Sequence, residues 1–368
     1  MNIFKIILLL LLGIPLFITG QSNDTIKFVG VGDMMLGTNY PSESYLPPKG
    51  TNLFENVDSV LKSADVTFGN LEGTVLNSGG TVKKCGDPSL CYAFRQPEYL
   101  VDQLVNAGFD ILSIANNHVG DFGAIGRENT VNVLNEKGFC FAGIESIPWD
   151  TITINNLKIG FCAFSPNRKT IQISDQKYAN ELVKFLDSFC DIVVVSFHGG
   201  GEGSDRTHIT RETEYCYGEN RGNPYKFSHQ VIDNGADIVF GHGPHVTRAL
   251  EIYKDRLICY SLGNFCTYKR FSLKGVNGIA PIVEVNVNKE GKFISGNVIS
   301  IKQIGEGIPV LDKDQKVLTE IKNLWKLSCK NKASPNSERL TKFGLIKAME
   351  SAIIPFLMAI KRIIIPMI

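Results

Sequence analysis

The chain is 368 residues long and carries 38 Lys and Arg against 37 Asp and Glu, a formal charge of +1. Hydrophobic residues at 43% and charged residues at 20% exclude a disordered chain. The near-neutral balance argues against a nucleic-acid partner, which demands clustered Lys and Arg. At about 100–200 residues per domain, the length allows one large or two modest domains with a substantial core.

The first element is apolar. Lys5 precedes an unbroken run from Ile6 to Ile18, followed by Thr19-Gly20-Gln21-Ser22. A basic start, about a dozen apolar residues and small residues after them describe a signal peptide over residues 1–22, with an uncleaved N-terminal anchor as the alternative. Either reading makes the protein exported and extracytoplasmic, at the cell envelope.

From Thr25 strands and helices alternate. Ile26 to Val31 is a β-rich run ending in Gly32-Asp33, Leu53 to Ser63 has helical spacing, and Val66 to Phe68 leads into Gly69-Asn70-Leu71-Glu72. Pro97 to Asn106 reads as a helix with Pro at its first position and Gly108 as its stop. Ile111 to Ala115 is a strand followed directly by Asn116-Asn117-His118. Gly123 to Lys137 is a helix, Phe139 to Ala142 a strand, and Thr151 to Phe164 a hairpin turning at Asn155-Asn156. Glu181 to Phe189 is helical, Asp191 to Phe197 is an apolar strand ending at His198, and Tyr225 to Asn234 is helical. Asp237 to Phe240 then runs into Gly241-His242. Arg256 to Tyr260, Pro281 to Val287 and Phe293 to Ile304 are late strands, the last two joined by a turn at Asn288 to Lys292. Nearly all-apolar strands alternating with helices predict an α/β sheet covered on both faces, with an added antiparallel portion.

Residues 25–305 thus form the main domain and 306–342 a polar linker. The stretch 343–368 is apolar but interrupted by Lys347, Glu350, Lys361 and Arg362 and broken by Pro355 and Pro366, so a spanning helix is not expected. It is either membrane-interfacial or a last helix packed on the domain. Most of the nine cysteines sit in apolar strings, as buried free thiols do. Cys85 and Cys91 instead flank Gly86-Asp87-Pro88-Ser89-Leu90, and in an exported protein they could close a small disulfide.

The polar residues that stand out follow strands. Asp33, Asn70 with Glu72, Asn117 with His118, His198, and His242 with His245 come at five strand ends, the edge where sites of α/β sheets assemble. Carboxylate, amide oxygen and imidazole suit divalent zinc, manganese or iron. Taken singly each has a plain alternative: Asp33 a turn, Glu72 a solvated charge, Asn117-His118 a capping pair with Asp121 capping the next helix. His198 before Gly199-Gly200-Gly201, and two His within Gly241-His242-Gly243-Pro244-His245, are harder to explain by packing. His208 and His229 receive no site role.

Together, Gly-Asp-Met-Met-Leu-Gly at 32–37, Gly-Asn-Leu-Glu-Gly at 69–73, Ala-Asn-Asn-His at 115–118, His-Gly-Gly-Gly-Glu at 198–202, Gly-His-Gly-Pro-His at 241–245 and Tyr-Ser-Leu-Gly-Asn-Phe at 260–265 resemble the CapA family. That family is the poly-γ-glutamate capsule branch of the calcineurin-like metallophosphatase superfamily. The resemblance runs from about Lys27 to Phe265. It implies a four-layer α/β/β/α metallophosphatase-like sandwich with a site for one or two divalent metal ions (Mn, Zn or Fe). It also implies metal ligands at Asp33, Glu72, Asn117, His198, His242 and His245, with His118 protonating a leaving group and Asp121 grouped with it as a catalytic candidate. Either Asn70 or Glu72 falls at the bridging position, and the need for negative charge favours Glu72. Asp33-Met34-Met35 lacks the imidazole usual in the superfamily, and Glu202 could supply an oxygen ligand or a substrate contact.

Three functions follow as expectations. The first is an exported metal-dependent hydrolase of capsule or poly-γ-glutamate biosynthesis, acting on a phosphoester or on an amide or ester bond of an anionic polymer. The second is a non-catalytic assembly or export component that binds metal and polymer beside the capsule-synthesis machinery, with membrane association through the termini. The third is a generic metallophosphoesterase.

Overall fold

Both faces of the central strands are apolar, and the fold follows from giving each face a partner. The structure, a computed structural model, describes residues 25–86 and 91–329, the last five by backbone alone. The expected signal peptide or anchor at 1–22 and the apolar stretch 343–368 lie outside the described residues.

The strands are β1 (Thr25–Met35), β2 (Val66–Leu71), β3 (Thr74–Val75), β4 (Arg95–Gln96), β5 (Ile111–Ser113), β6 (Cys140–Ala142), β7 (Trp149–Ile154), β8 (Leu157–Phe164) and β9 (Ile192–His198). They continue as β10 (Tyr215–Cys216), β11 (Glu219–Asn220), β12 (Ile238–His242), β13 (Leu250–Tyr253), β14 (Arg256–Cys259), β15 (Asn264–Thr267), β16 (Ile279–Asn288), β17 (Phe293–Ile304) and β18 (Ile308–Leu311). The helices are α1 (Asp58–Leu61), α2 (Val101–Ala107), α3 (Gly123–Glu136), α4 (Gln176–Asp187), α5 (Pro224–Asp233) and α6 (Lys316–Cys329).

An eight-stranded sheet has the order β18-β17-β16-β1-β2-β5-β6, with β15 also beside β1, and a six-stranded sheet runs β13-β14-β12-β9-β8-β7. Pairing is parallel through β1-β2-β5-β6 and through β8-β9-β12-β14. It is antiparallel from β1 through β16 and β17 to β18, the late antiparallel portion.

Alternation along the strands sorts side chains into layers. Ile26 and Phe28 of β1 and Phe68 of β2 face Phe161, Val194 and Phe240 of the second sheet in one core. Phe68 stacks on Phe240 with ring centroids 4.7 Å apart. A Cβ at Gly30 would lie 2.3 Å from the Phe240 ring, so glycine makes room for that contact. Val29 and Val31 point the other way, toward Leu61 of α1, Leu104 of α2 and Leu134 of α3. On the far face of the second sheet, Val193 and Val195 meet Leu182 and Leu186 of α4 and Val231 of α5. Helix, sheet, sheet, helix is the four-layer α/β/β/α sandwich. Each large apolar side chain buried in it contributes about 1.5–3 kcal/mol.

Three expectations change. The helix expected over Leu53–Ser63 shrinks to α1, because the Asn52 side chain accepts from the Phe54 N–H and starts a turn. The helix expected from Pro97 opens as a 3-10 turn, Glu98–Leu100, before α2, although Gly108 does end it in the left-handed region at φ 83°. The stretch 306–342 is no linker over its described part. It contains β18 and α6, whose Val317 and Ile321 are buried in the inter-sheet core. Among the described residues no helix is long and apolar enough to cross a membrane.

Candidate metal centre

The carboxyl ends of the two parallel strand sets meet at one edge of the sandwich. Asp33 arrives there because β1 comes unusually close to the segment before β15. A Cβ at Gly32 would sit 2.0 Å from the Gly263 carbonyl oxygen, and the Asp33 N–H donates to that oxygen at 2.8 Å. His198 and His242 end adjacent strands and are register partners. His245 stands in the left-handed region at φ 59°, a conformation that costs a non-glycine residue about 1–3 kcal/mol. It turns the ring onto the carboxylates.

Asp33 is the hub. One oxygen accepts from the Asn70 amide at 2.8 Å and lies 3.1 Å from His242 Nδ1, while the other lies 3.1 Å from His245 Nδ1. Glu72 is fully buried, 3.7 Å from His245 Nε2 and 4.0 Å from His118 Nε2. Asp33, Glu72 and His245 each offer a ligand atom within 4.8 Å of the others.

Partners decide which residues suit a metal. Both Glu72 carboxylate oxygens, both His198 ring nitrogens, His242 Nε2 and Asn117 Oδ1 are buried without a hydrogen-bond partner among the described residues. Leaving a buried polar atom unsatisfied costs about 1–3 kcal/mol. Imidazole, carboxylate and amide oxygen completed by a divalent cation remove that penalty, so the residues present fit the expected group. The Asn70 amide is instead engaged at both atoms, by Asp33 and by Asn116, and Glu72 is the better bridging candidate.

Electrostatics agree with this division. Burial disfavours a charge on Asp33, but the hydrogen bonds of His242 and His245 outweigh it and hold the carboxyl far below its ordinary range. Burial, then the charge of Asp33, pushes the Glu72 carboxyl up. Burial likewise opposes a charge on His245, yet Glu72 and the Asp33 hydrogen bond prevail and push it up to about 10. Both shifts favour the protonated form, of Glu72 through burial beside Asp33 and of His245 through its two carboxylate neighbours. Burial, assisted by the Arg221 charge, drives His198 well below the usual imidazole value and keeps it neutral, as a ligand must be.

On the other side of Glu72 lies His118. Its Nδ1 is 2.8 Å from Asp121 Oδ2, which also accepts from the Phe94 N–H at 2.7 Å. The second Asp121 oxygen faces Lys83 Nζ at 2.6 Å. Burial pushes the His118 imidazole down against the opposing pull of Asp121. Asp121 is therefore no helix cap: α3 begins after Phe122 with no side-chain cap, and the carboxylate orients His118 instead. Glu202 is paired with buried Arg221 at 2.8 Å rather than standing free for a ligand role. His229 pairs with Glu251 at 3.1 Å, outside this constellation. Cys85 and Cys91 are joined in a disulfide.

Sequence reading passed over Asn116, Asn264, Lys83 and Arg221. Asn116 bridges Asn70 and the Leu71 carbonyl and anchors the backbone N–H of His118. Asn264, register partner of Asp33, leaves its Oδ1 buried and unpartnered. Both lie inside the strand-end segments Ala-Asn-Asn-His and Leu-Gly-Asn-Phe, whose amides are the signal for them. Lys83, next to Lys84, and Arg221 are cations in polar loops and carry no such signal.

Known proteins share this chain's sequence features. It is 26% identical over 265 residues to "Capsule biosynthesis protein CapA" of Bacillus anthracis, covering 67% of this chain and 60% of that protein. It is 27% identical over 262 residues to "PGA biosynthesis protein CapA" of Bacillus subtilis (strain 168), covering 66% and 64%. The chain thus spans less than two thirds of the length of either relative. Among solved structures it is similar to a 5'-nucleotidase precursor from Thermus thermophilus, with a TM-score of 0.42 and 11% identity over 83% of this chain and 60% of that one. Residues 27–269, with every ligand candidate described above, match the family model "Bacterial capsule synthesis protein PGA_cap", and the chain belongs to that family.

Proposed function

We propose that this protein is a divalent-metal-dependent hydrolase of capsule or poly-γ-glutamate biosynthesis or processing at the cell envelope. Its substrate is a phosphoester, or an amide or ester bond, of an anionic polymer. The names of the two relatives support the pathway. The observation that carries the chemistry is the set of unpartnered buried ligand atoms on Glu72, His198, His242 and Asn117, next to a fully braced imidazole.

Asp33, Glu72, Asn117, His198, His242 and His245 would hold the cation or cations. Bound there, a divalent ion polarises a phosphoryl or carbonyl oxygen and makes water acidic enough to serve as a nucleophile near neutral pH. His118 gives its Nδ1 to Asp121, which leaves Nε2, 4.0 Å from Glu72, as the atom that takes up and returns a proton. Asp121 favours the charged imidazole at the moment it forms. The buried walls, among them Phe94 with its ring 4.3 Å from that of His118, keep bulk water from competing.

Metal analysis of the purified full chain, with turnover of p-nitrophenyl phosphate and of γ-glutamyl oligomers before and after His118→Ala, tests the reading. Bound metal, metal-dependent turnover and a loss of about 10²–10⁴ in the variant are expected. Absence of metal together with unchanged turnover would overturn it. One observation favours the second reading, a non-catalytic component binding metal or anionic polymer. Met34 and Met35 after Asp33 are buried in the core and bring no imidazole, so the first segment offers a single carboxylate. Bound metal without turnover of either substrate class supports that alternative.

A further inference from the structure

The loop from β3 to β4 holds the proton-transfer pair from two sides. On its outgoing limb, the Lys83 N–H donates to the Asp121 carbonyl at 2.7 Å, and Lys83 Nζ lies 2.6 Å from Asp121 Oδ1 and 3.4 Å from the Asn117 carbonyl oxygen. On its return limb, the Phe94 N–H donates to Asp121 Oδ2 and the Phe94 ring packs on His118. The return limb is secured independently, because Phe94 runs into β4, which pairs with β3. The outgoing limb has no strand partner near Lys83 among the described residues. Farther back, Arg95 Nη1 donates to the Gly79 carbonyl at 2.9 Å and Val82 packs in one cluster with Ala93. Beyond Lys83 the tie to the return limb is the disulfide, two residues after Lys83 and three before Phe94, with Cys91 Sγ 4.0 Å from the Lys83 carbonyl oxygen. Both cysteines are half-buried, within reach of a small dithiol.

We propose that Lys83 is a positioning residue for the His118–Asp121 pair and that the Cys85–Cys91 bond is what keeps it in place, so that the oxidation state of this one disulfide sets how well His118 is aimed. The inference rests on the hydrolase reading for its consequence in turnover, but not for the geometry. Reduction is balanced by a dithiol. Its two thiols give up two electrons and two protons, the S–S bond breaks to leave thiols on Cys85 and Cys91, and the dithiol closes to its own disulfide.

The test uses the full chain labelled with ¹⁵N-histidine and free of metal. In the oxidised protein the His118 Nδ1–H shared with Asp121 is expected as a slowly exchanging resonance. It should be lost or exchange at least about tenfold faster after reduction with dithiothreitol, in the Cys85→Ser/Cys91→Ser protein and in Lys83→Met, and be retained in Lys83→Arg. In metal-loaded protein without reductant, the serine double variant and Lys83→Met should lose about tenfold in kcat toward p-nitrophenyl phosphate, with KM and metal content unchanged. An identical His118 resonance in the oxidised, reduced and Lys83→Met proteins overturns the inference. If the wild type turns nothing over, the hydrolase reading falls while the resonance still decides the positioning role.

Discussion

The two sides of Glu72 differ in how their polar atoms are satisfied. Toward His198 and His242, buried nitrogens and oxygens point at one another's surroundings with no partner. Toward His118, Asp121 takes two hydrogen bonds on one oxygen and faces an ammonium group with the other. At about 1–3 kcal/mol per unsatisfied group, the first side is costly until a ligand completes it, whereas on the second the Asp121 oxygen that takes no hydrogen bond has the Lys83 ammonium 2.6 Å away. One side is built to receive and the other to hold still. A centre that works this way separates binding from proton handling, and substitutions should separate them too.

The largest effect is expected from His198→Ala. Metal retained after dialysis should fall by more than about a hundredfold, with turnover at background, as read by elemental analysis. Full metal content in that variant would break the contrast. Next, His118→Ala should cost about 10²–10⁴ in kcat while metal content stays at the wild-type level. A variant that lost both together would place His118 among the ligands. A third experiment follows thermal unfolding as metal is added. A ligand at a hundred times its dissociation constant stabilises by about 2.7 kcal/mol, so the midpoint should rise in wild type and in His118→Ala alike but not in His198→Ala.

The last effect concerns pH. His245 in the metal-free protein keeps its proton up to about 10, and a ligand imidazole must be neutral, so binding near neutrality expels that proton. Metal affinity should therefore tighten as pH rises from 6 to 8, by about tenfold per unit for one proton, which is 1.4 kcal/mol. Calorimetry in buffers of different ionisation heat counts the proton directly. Unchanged affinity across that range would remove His245 from the ligand set.

Much of this contrast could be read in the sequence, for a physical reason. Ligands at strand ends are announced by the apolar runs before them, so Asp33, His198 and His242 were visible from hydropathy alone. The nearly all-apolar strands likewise predict sheets covered on both faces. The hidden part is relational. Whether Asn70 or Glu72 stands free depends on Asn116, which arrives from another strand end and occupies the Asn70 amide. Asp121 looks like a cap one residue ahead of a helix, and only the folded loop brings Lys83 and Phe94 to it. Glu202 is marked by the family resemblance, while Arg221, which pairs with it, has nothing in its neighbourhood to mark it. The stretch 306–342 read as polar because its buried apolar residues are spaced along α6, with Val317, Leu318, Ile321 and Leu324 among them.

Asp33 and His242 touch at 3.1 Å although 209 residues separate them in the chain. Carboxylates and imidazoles come from different sheets, so no fragment that lacks either half can discriminate among cations. During synthesis the nascent chain offers only scattered single ligands. A divalent ion held by these residues would therefore be selected only after both sheets have docked, from the metals available where folding finishes.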